Sequence, residues 1–327
     1  MAMEEKTPMF EHILIPLDGS SLAERVLPHA ISLSKAFGAK LTLLRVVYQV
    51  DQKTQLSGVN PIDWQMRMSE AEAYIDSVRD RLVQKGIETD GCVLEGRPAQ
   101  QIINFAKKSN LDLIILSSHG NSGISGWNIN STVQKVLLRA YMPVMIVRAY
   151  QEMDEETESV TYKRLLVPLD GSKRAECILP LVKSISEVQG SNVLLTHIIE
   201  EPKLLRPEIE SDDVKSIINQ LNEINLREIE AYFDEIRSQF DPNEVEIIIE
   251  KSEEPTIALH DIIDREEIDL VLLSAHGYSG KRKWPYGKIA LNFISFGTTP
   301  LIIIQDLSAD EIQKSLAERI AEQSKGH

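Results

Sequence analysis

Phe10-Glu-His-Ile-Leu-Ile-Pro-Leu-Asp-Gly-Ser20 and Tyr162-Lys-Arg-Leu-Leu-Val-Pro-Leu-Asp-Gly-Ser172 are two copies of one pattern, 152 residues apart. In each, a short continuous apolar run is closed by Asp-Gly, the signature of a buried strand ending in a turn. The match runs on through Ala23/Ala175, Glu24/Glu176, Leu27/Leu179 and Pro28/Pro180. Further along, Leu111-Asp-Leu-Ile-Ile-Leu-Ser-Ser-His-Gly120 pairs with Ile268-Asp-Leu-Val-Leu-Leu-Ser-Ala-His-Gly277 at an offset of 157. That offset also pairs Pro98/Pro255, Trp127/Trp284 and Pro143/Pro300. A period of this length is a tandem domain duplication, since solenoid repeats run about 20–50 residues.

Outward from the first strand, Ile13–Leu17, the pattern alternates. Ser20–Phe37 has helical spacing, with Ser21 and Glu24 placed for a capping box and Pro28 placed to kink the segment. Leu41–Val47 reads as a strand, Ile62–Lys85 as a charged amphipathic helix, and Gly91–Glu95 as a weaker strand. Ala99–Lys108 (helix), Leu111–Leu116 (strand), Ser131–Arg139 (helix) and Val144–Arg148 (strand) complete the first copy. The second copy repeats the order with a longer helix over Asp213–Phe240. Apolar strands alternating with helices predict an α/β fold: two Rossmann-like domains, each a parallel sheet covered on both faces. The expected boundaries are 10–148, an acidic linker at 149–161, a second domain at 162–306 and a helical tail at 307–327. Gln151–Thr161 carries five carboxylates and no basic residue, the mark of a solvated linker. In the tail, Ile312, Leu316 and Ile320 share one helical stripe, suited to docking on its own domain or on a partner chain.

The 327 residues fit about two domains, and their 43 % hydrophobic content suits packed cores. Two cysteines exclude a disulfide framework and a Cys-based zinc site. Apolar runs such as Leu113–Leu116 fall far short of the roughly 20 residues a membrane span needs. The first residues lack a secretory pattern, so a reducing, cytoplasmic location is expected. The net charge of −15 is uneven: residues 1–150 carry +1 and residues 151–327 carry −16. Such a balance argues against nucleic-acid and anionic-membrane binding, which rely on basic patches.

In open parallel sheets, ligands bind beyond the carboxyl ends of the strands, where strand order reverses. Asp18-Gly19-Ser20 and Asp170-Gly171-Ser172 follow strand one, and a Ser-x-His-Gly loop follows strand four in both copies. If these strands are neighbours, carboxylate and loop face each other across one crevice. The loop then feeds a helix N-terminus, at Ser131 and near Lys288, whose N–H groups suit a phosphate.

These paired motifs resemble the universal stress protein family in its tandem form. The resemblance covers about 10–148 and 162–305. It implies a five-stranded sheet of order 3-2-1-4-5 in each domain and, in nucleotide-binding members, an Asp after strand one with a Gly-x2-Gly-x9-Gly-Ser/Thr loop. The implied site in the first copy is Pro16, Asp18, Val46, Ser117, Gly120, Asn130 and Ser131. In the second copy it is Pro168, Asp170, Ile198, Ser274, Gly277, Gly287 and Lys288. Neither loop is complete. Ser117 and Ser274 replace the first Gly, and small hydroxyl residues still permit backbone approach. Asn130 replaces the third Gly, a heavier departure if that backbone must reach positive φ. Lys288 replaces the Ser/Thr and adds a cation. Residues 120–132 are uncharged, whereas Tyr278–Lys288 carries Lys281, Arg282, Lys283 and Lys288, as if the acidic half compensated its field locally.

Set against this, Asp-Gly-Ser also reads as a plain turn and helix cap. His119 and His276 read as structural, because no nucleophile with a base partner accompanies them. The scattered histidines show no metal spacing. Trp127 and Trp284 read as packing residues, and Cys92 and Cys177 as inert ones. The resemblance implies a stress-response protein binding ATP or a related adenine nucleotide, with Mg²⁺ accompanying a triphosphate. It also implies a homo-oligomer whose chain pairs its own last strands, Val144–Arg148 and Leu301–Gln305. The alternative is a nucleotide-free interaction module with degenerate loops. An ATP-hydrolysing enzyme is less supported, for want of a catalytic base, arginine finger or metal-binding pair.

Overall fold

The computed structural model describes residues 9–48, 61–120, 129–149, 158–200, 212–241, 244–277 and 286–306. Trp127, Trp284, the Lys281–Lys283 cluster, most of the acidic linker and the tail stripe lie outside them. The described residues form two compact units. Unit 1 runs to Thr161 and includes those from Ile294 on; unit 2 is Tyr162–Phe293.

Unit 1 begins with β1 (His12–Pro16), α1 (Ser21–Glu24), α2 (Leu27–Phe37), β2 (Lys40–Val47) and α3 (Pro61–Gln84). It continues with β3 (Thr89–Glu95), α4 (Pro98–Lys108), β4 (Leu113–Ser117), α5 (Ser131–Leu137) and β5 (Val144–Val147). The sheet order is β3-β2-β1-β4-β5, all parallel. Ile13, Leu14 and Ile15 are fully buried, which is why β1 reads as an unbroken apolar run. α3 buries Ala71, Ile75, Val78 and Leu82, one stripe at helical spacing.

Unit 2 repeats the plan with β6 (Arg164–Pro168), a 3-10 turn (Ala175–Ile178), α6 (Leu179–Gln189), β7 (Asn192–Glu200) and α7 (Asp212–Arg237). Then come β8 (Val245–Ser252), α8 (Pro255–Arg265), β9 (Leu270–Ser274) and α9 (Lys288–Phe296). Its parallel strands run β8-β7-β6-β9. The last strand, β10 (Leu301–Ile304), belongs to unit 1, where it pairs antiparallel with β5 through Leu301↔Ile146, Ile302↔Met145 and Ile303↔Val144. The last strands thus pair within the chain. Beside this seam, the buried Arg148 donates from Nη1 to the carbonyl of Ile294 at 3.1 Å.

Two local readings are corrected. The capping residue is Ser20, not Ser21: Ser20 Oγ accepts from Ala23 N at 3.1 Å. Glu24 makes no capping box and instead accepts from Arg81 Nη2 at 2.6 Å. Pro28 does more than kink its segment. It stands in the first turn of α2, and the helix is broken before Leu27. The described end of the linker is held to unit 1, by Glu158 with Lys85 at 3.1 Å and by Val160 N on the carbonyl of Pro28.

The repeated Asp of Leu111-Asp-Leu and Ile268-Asp-Leu has a positional role. Asp112 Oδ2 accepts from the backbone N–H of Glu11 and His12, at 2.8 and 2.9 Å. Asp269 Oδ2 accepts from Lys163 N at 2.7 Å. Each carboxylate takes amides that the start of β1 or β6 would otherwise leave unpaired. Burial pushes the Asp269 carboxyl up, against the pull of those amides.

Candidate functional site

Both strand-one turns are built alike. Asp18 Oδ1 accepts from Ser20 N at 3.0 Å and from Ser20 Oγ at 2.6 Å. Asp170 Oδ1 accepts from Ser172 N at 3.1 Å and from Ser172 Oγ at 2.6 Å. Gly19 and Gly171 sit at φ +83° and +81°, a left-handed conformation that lets the chain turn under the carboxylate. So the plain reading of Asp-Gly-Ser, a turn with a helix cap, is correct for one oxygen of each Asp.

The other oxygen goes to the loop after strand four. A Cβ placed on Gly120 would lie 3.0 Å from Asp18 Cγ, and nearer still to Oδ2. On Gly277 it would lie 2.9 Å from Asp170 Cγ, with Oδ2 again nearer. Only a residue without a side chain permits this approach. The pairings β1–β4 and β6–β9 create it, by setting the two strand ends side by side.

Each turn and loop borders a cavity. In unit 1 the cavity is about 230 Å³, lined by Pro16, Asp18, Val46, Ser117, Gly120 and Asn130 among others. In unit 2 it is about 250 Å³, lined by Pro168, Asp170, Ile198, Ser274, Gly277, Gly287 and Lys288. Thirteen of the fourteen candidate residues are therefore brought together. Ser131 does not line the first cavity, because it starts α5 facing solvent, and Thr132 takes its place. Pro98 and Ile102 of α4 and Pro255 and Leu259 of α8 add apolar walls, and Thr196, His197 and Glu200 of β7 add polar groups to the second cavity.

The loops share one strut. Asn130 N donates to the carbonyl of Ser118 at 2.9 Å, and Gly287 N to that of Ala275 at 2.7 Å. Asn130 has φ −57°, so its position makes no demand for positive φ. A Cβ on Gly287 would meet only the Ala275 carbonyl oxygen at 3.5 Å and His276 Cα at 3.8 Å, ordinary contacts. The feared departure at Asn130 is thus harmless to the backbone. It acts instead through its side chain: Asn130 Oδ1 accepts from Thr132 N at 2.8 Å and occupies one amide at the start of α5. Gly287 has no side chain to do so. Ser117 Oγ donates to the carbonyl of Leu22 at 2.8 Å and Ser274 Oγ to that of His276 at 2.6 Å, so both hydroxyls serve local geometry. His119 and His276 are buried beside the cavities, with His119 Nδ1 3.0 Å from Ser118 Oγ.

Sequence reasoning missed what stands behind the turns. Arg45 lies 5.0 Å from the Tyr74 ring centroid, and its guanidinium packs against Gly19. Burial, and then Glu24, push the Tyr74 hydroxyl well above its ordinary value. Burial and Glu176 do the same to Tyr232 in unit 2. There His197 holds the place of Arg45, 152 residues on, with Nδ1 2.8 Å from the carbonyl of Leu169. The missed signal was the polar residue just before Val46 and Ile198.

A model of the Universal stress protein family matches residues 9–148 and again 161–305. The chain belongs to the universal stress protein family. Universal stress protein YxiE of Bacillus subtilis is 28 % identical over 149 residues, covering 43 % of this chain and all of its own length. A universal stress protein of Methanocaldococcus jannaschii is 27 % identical over 144 residues, 43 % of this chain and 83 % of its own. A solved universal stress protein of Archaeoglobus fulgidus aligns with TM-score 0.64 at 20 % identity, covering 90 % of this chain and 98 % of its own, a likeness of fold. Among the described residues, no helix of this universal stress protein is long and apolar enough to cross a membrane.

Proposed function

We propose that this universal stress protein binds ATP or a related adenine nucleotide and acts as a nucleotide-dependent regulator inside the cell. The supporting observation is the contact of a strand-one carboxylate with a side-chain-free loop residue, Asp18 at Gly120 and Asp170 at Gly277, each bordering a cavity. The carboxylate suits ribose hydroxyls, the loop backbone and helix start suit phosphates, and Val46 or Ile198 with its apolar neighbours suits a base. Lys288 adds a cation at the phosphate end of the second cavity. A triphosphate would carry Mg²⁺ with it, held by the phosphates rather than by a protein carboxylate pair. Equilibrium dialysis with ATP tests the reading. Two saturable equivalents are expected, one lost with Asp18→Ala, the other with Asp170→Ala; a flat titration of the unaltered chain overturns it.

One observation favours the alternative, a nucleotide-free interaction module, for the first cavity alone. Asn130 already fills an amide at the helix start there, and no cation lines that cavity among the described residues.

A further inference from the structure

The strands that floor the two cavities differ, and one difference puts a hydroxyl where the other copy has an apolar side chain. Side chains alternate along a strand, so the residue two before Val46 or Ile198 shares its face. In unit 1 that residue is Leu44, which lines the cavity and is fully buried. In unit 2 it is Thr196, which lines the cavity and is equally buried. Thr196 Oγ1 is a buried hydroxyl without a hydrogen-bond partner among the described residues. A buried hydroxyl left unpaired is destabilising, and native proteins leave few of them. Its backbone carbonyl accepts from Leu169 N at 2.9 Å, which fixes the residue against the strand-one turn.

The sheet order sets what Thr196 can reach. β7 flanks β6 on the side away from β9. A ligand lying across the strand ends therefore puts one terminus over Thr196 and Ile198, and the other at Gly277, Gly287 and Lys288. Lys288 and the start of α9 suit the anionic terminus. The terminus over β7 then meets Thr196 and Ile198, with His197 and Glu200 of the same strand also bordering the cavity, and the Thr196 hydroxyl is the buried group there without a partner among the described residues. We infer that Thr196 is a specificity-determining residue of the second cleft, its hydroxyl hydrogen-bonding the edge of a purine base. This rests on the nucleotide reading above and adds to it: the second cleft discriminates by the polarity of the base edge, whereas the first, floored by Leu44, selects only by shape. Sites built around a buried hydrogen bond reject ligands that leave it unmade far more strongly than apolar pockets reject a mismatched group.

The test uses the full chain carrying Asp18→Ala, so that the second cleft reports. ATP and ribose 5-triphosphate, which lacks a base, are titrated against this parent and against added Thr196→Val or Thr196→Ser. Thr196→Val is expected to weaken ATP roughly tenfold, leave ribose triphosphate unchanged, and raise or maintain the melting temperature without ligand. Thr196→Ser is expected to retain ATP affinity. Equal ATP binding by Thr196→Val, equal losses for both compounds, or a lower ligand-free melting temperature each overturns the assignment, the last by showing that the hydroxyl has a protein partner. A parent that binds neither compound removes the nucleotide reading of this cleft, and this assignment with it. A parent that binds ATP while Thr196→Val is silent removes only the role of Thr196.

Discussion

The two clefts differ at both ends: the first has an apolar residue at one and a capped helix start at the other, and the second has a polar side chain at both. At one end, Asn130 caps α5 where the second repeat has Gly287 followed by Lys288. At the other, Leu44 stands where the second repeat has Thr196. Behind the turn the difference runs the other way, with Arg45 braced on Tyr74 in the first repeat and His197 in its place in the second. Duplication has kept the Asp-to-Gly contact, the turn bonds and the loop strut in both copies and let the ends of the cavities drift. On the nucleotide reading proposed above, the shared contact would set where a ligand sits and the surroundings how firmly each copy held it.

The comparison breaks first at that contact. Gly120→Ala and Gly277→Ala each force a methyl group into an aspartate carboxylate, so each should remove one equivalent of bound ATP in dialysis. Each should also lower stability by about 1–3 kcal/mol, the usual effect of overpacking. Retention of both equivalents in either variant would show the contact to be incidental.

A second difference is in acid response. His29 is buried in α2, and burial lowers its pKa from 6.5 to about 4. Its counterpart 152 residues on is the buried Leu181. The unfolded chain takes up a proton at His29 below pH 6.5, while the folded unit resists until about pH 4. Stability from this group is therefore full above pH 6.5 and lost as pH falls toward 4, by about 3 kcal/mol in all. Calorimetry across that range should show unit 1 weakening, and His29→Leu should abolish its share of the slope.

A smaller effect sharpens the contrast at the helix starts. Gly287→Asn should install the cap of the first repeat in the second and weaken ATP there roughly tenfold, about 1.4 kcal/mol. Asn130→Gly should strengthen the first cleft while lowering helix stability by only a few tenths of a kcal/mol. Smaller again, Ser20→Ala and Ser172→Ala should each lower stability by about 1 kcal/mol in thermal denaturation. Equal losses are expected, because the two turns carry the same set of bonds.

The strands were legible because both faces of each sheet are covered, which leaves unbroken apolar runs such as Ile13–Ile15 in the sequence. The cleft followed from one topological fact, that strand four neighbours strand one. Other features depend on coordinates. Ser20 and Ser21 are both plausible caps on paper, and only the backbone turn at Gly19 decides between them. Asn130 looked damaging because its φ could not be read from its name. The face of Thr196 follows from the period of two, but its lack of a partner depends on what packs around it. Arg45 was overlooked because it points away from the cleft, toward Tyr74.

Finally, β10 is the last described strand of the chain, yet it completes the sheet of unit 1. On the ribosome, Val144–Val147 emerges more than 150 residues before its antiparallel neighbour Leu301–Ile304. Until then, the first unit waits with an open, fully apolar edge, the kind of surface that recruits strands from other chains. Nascent-chain chaperoning, or careful expression, matters most for that interval, and cutting the gene between the repeats would make the interval permanent.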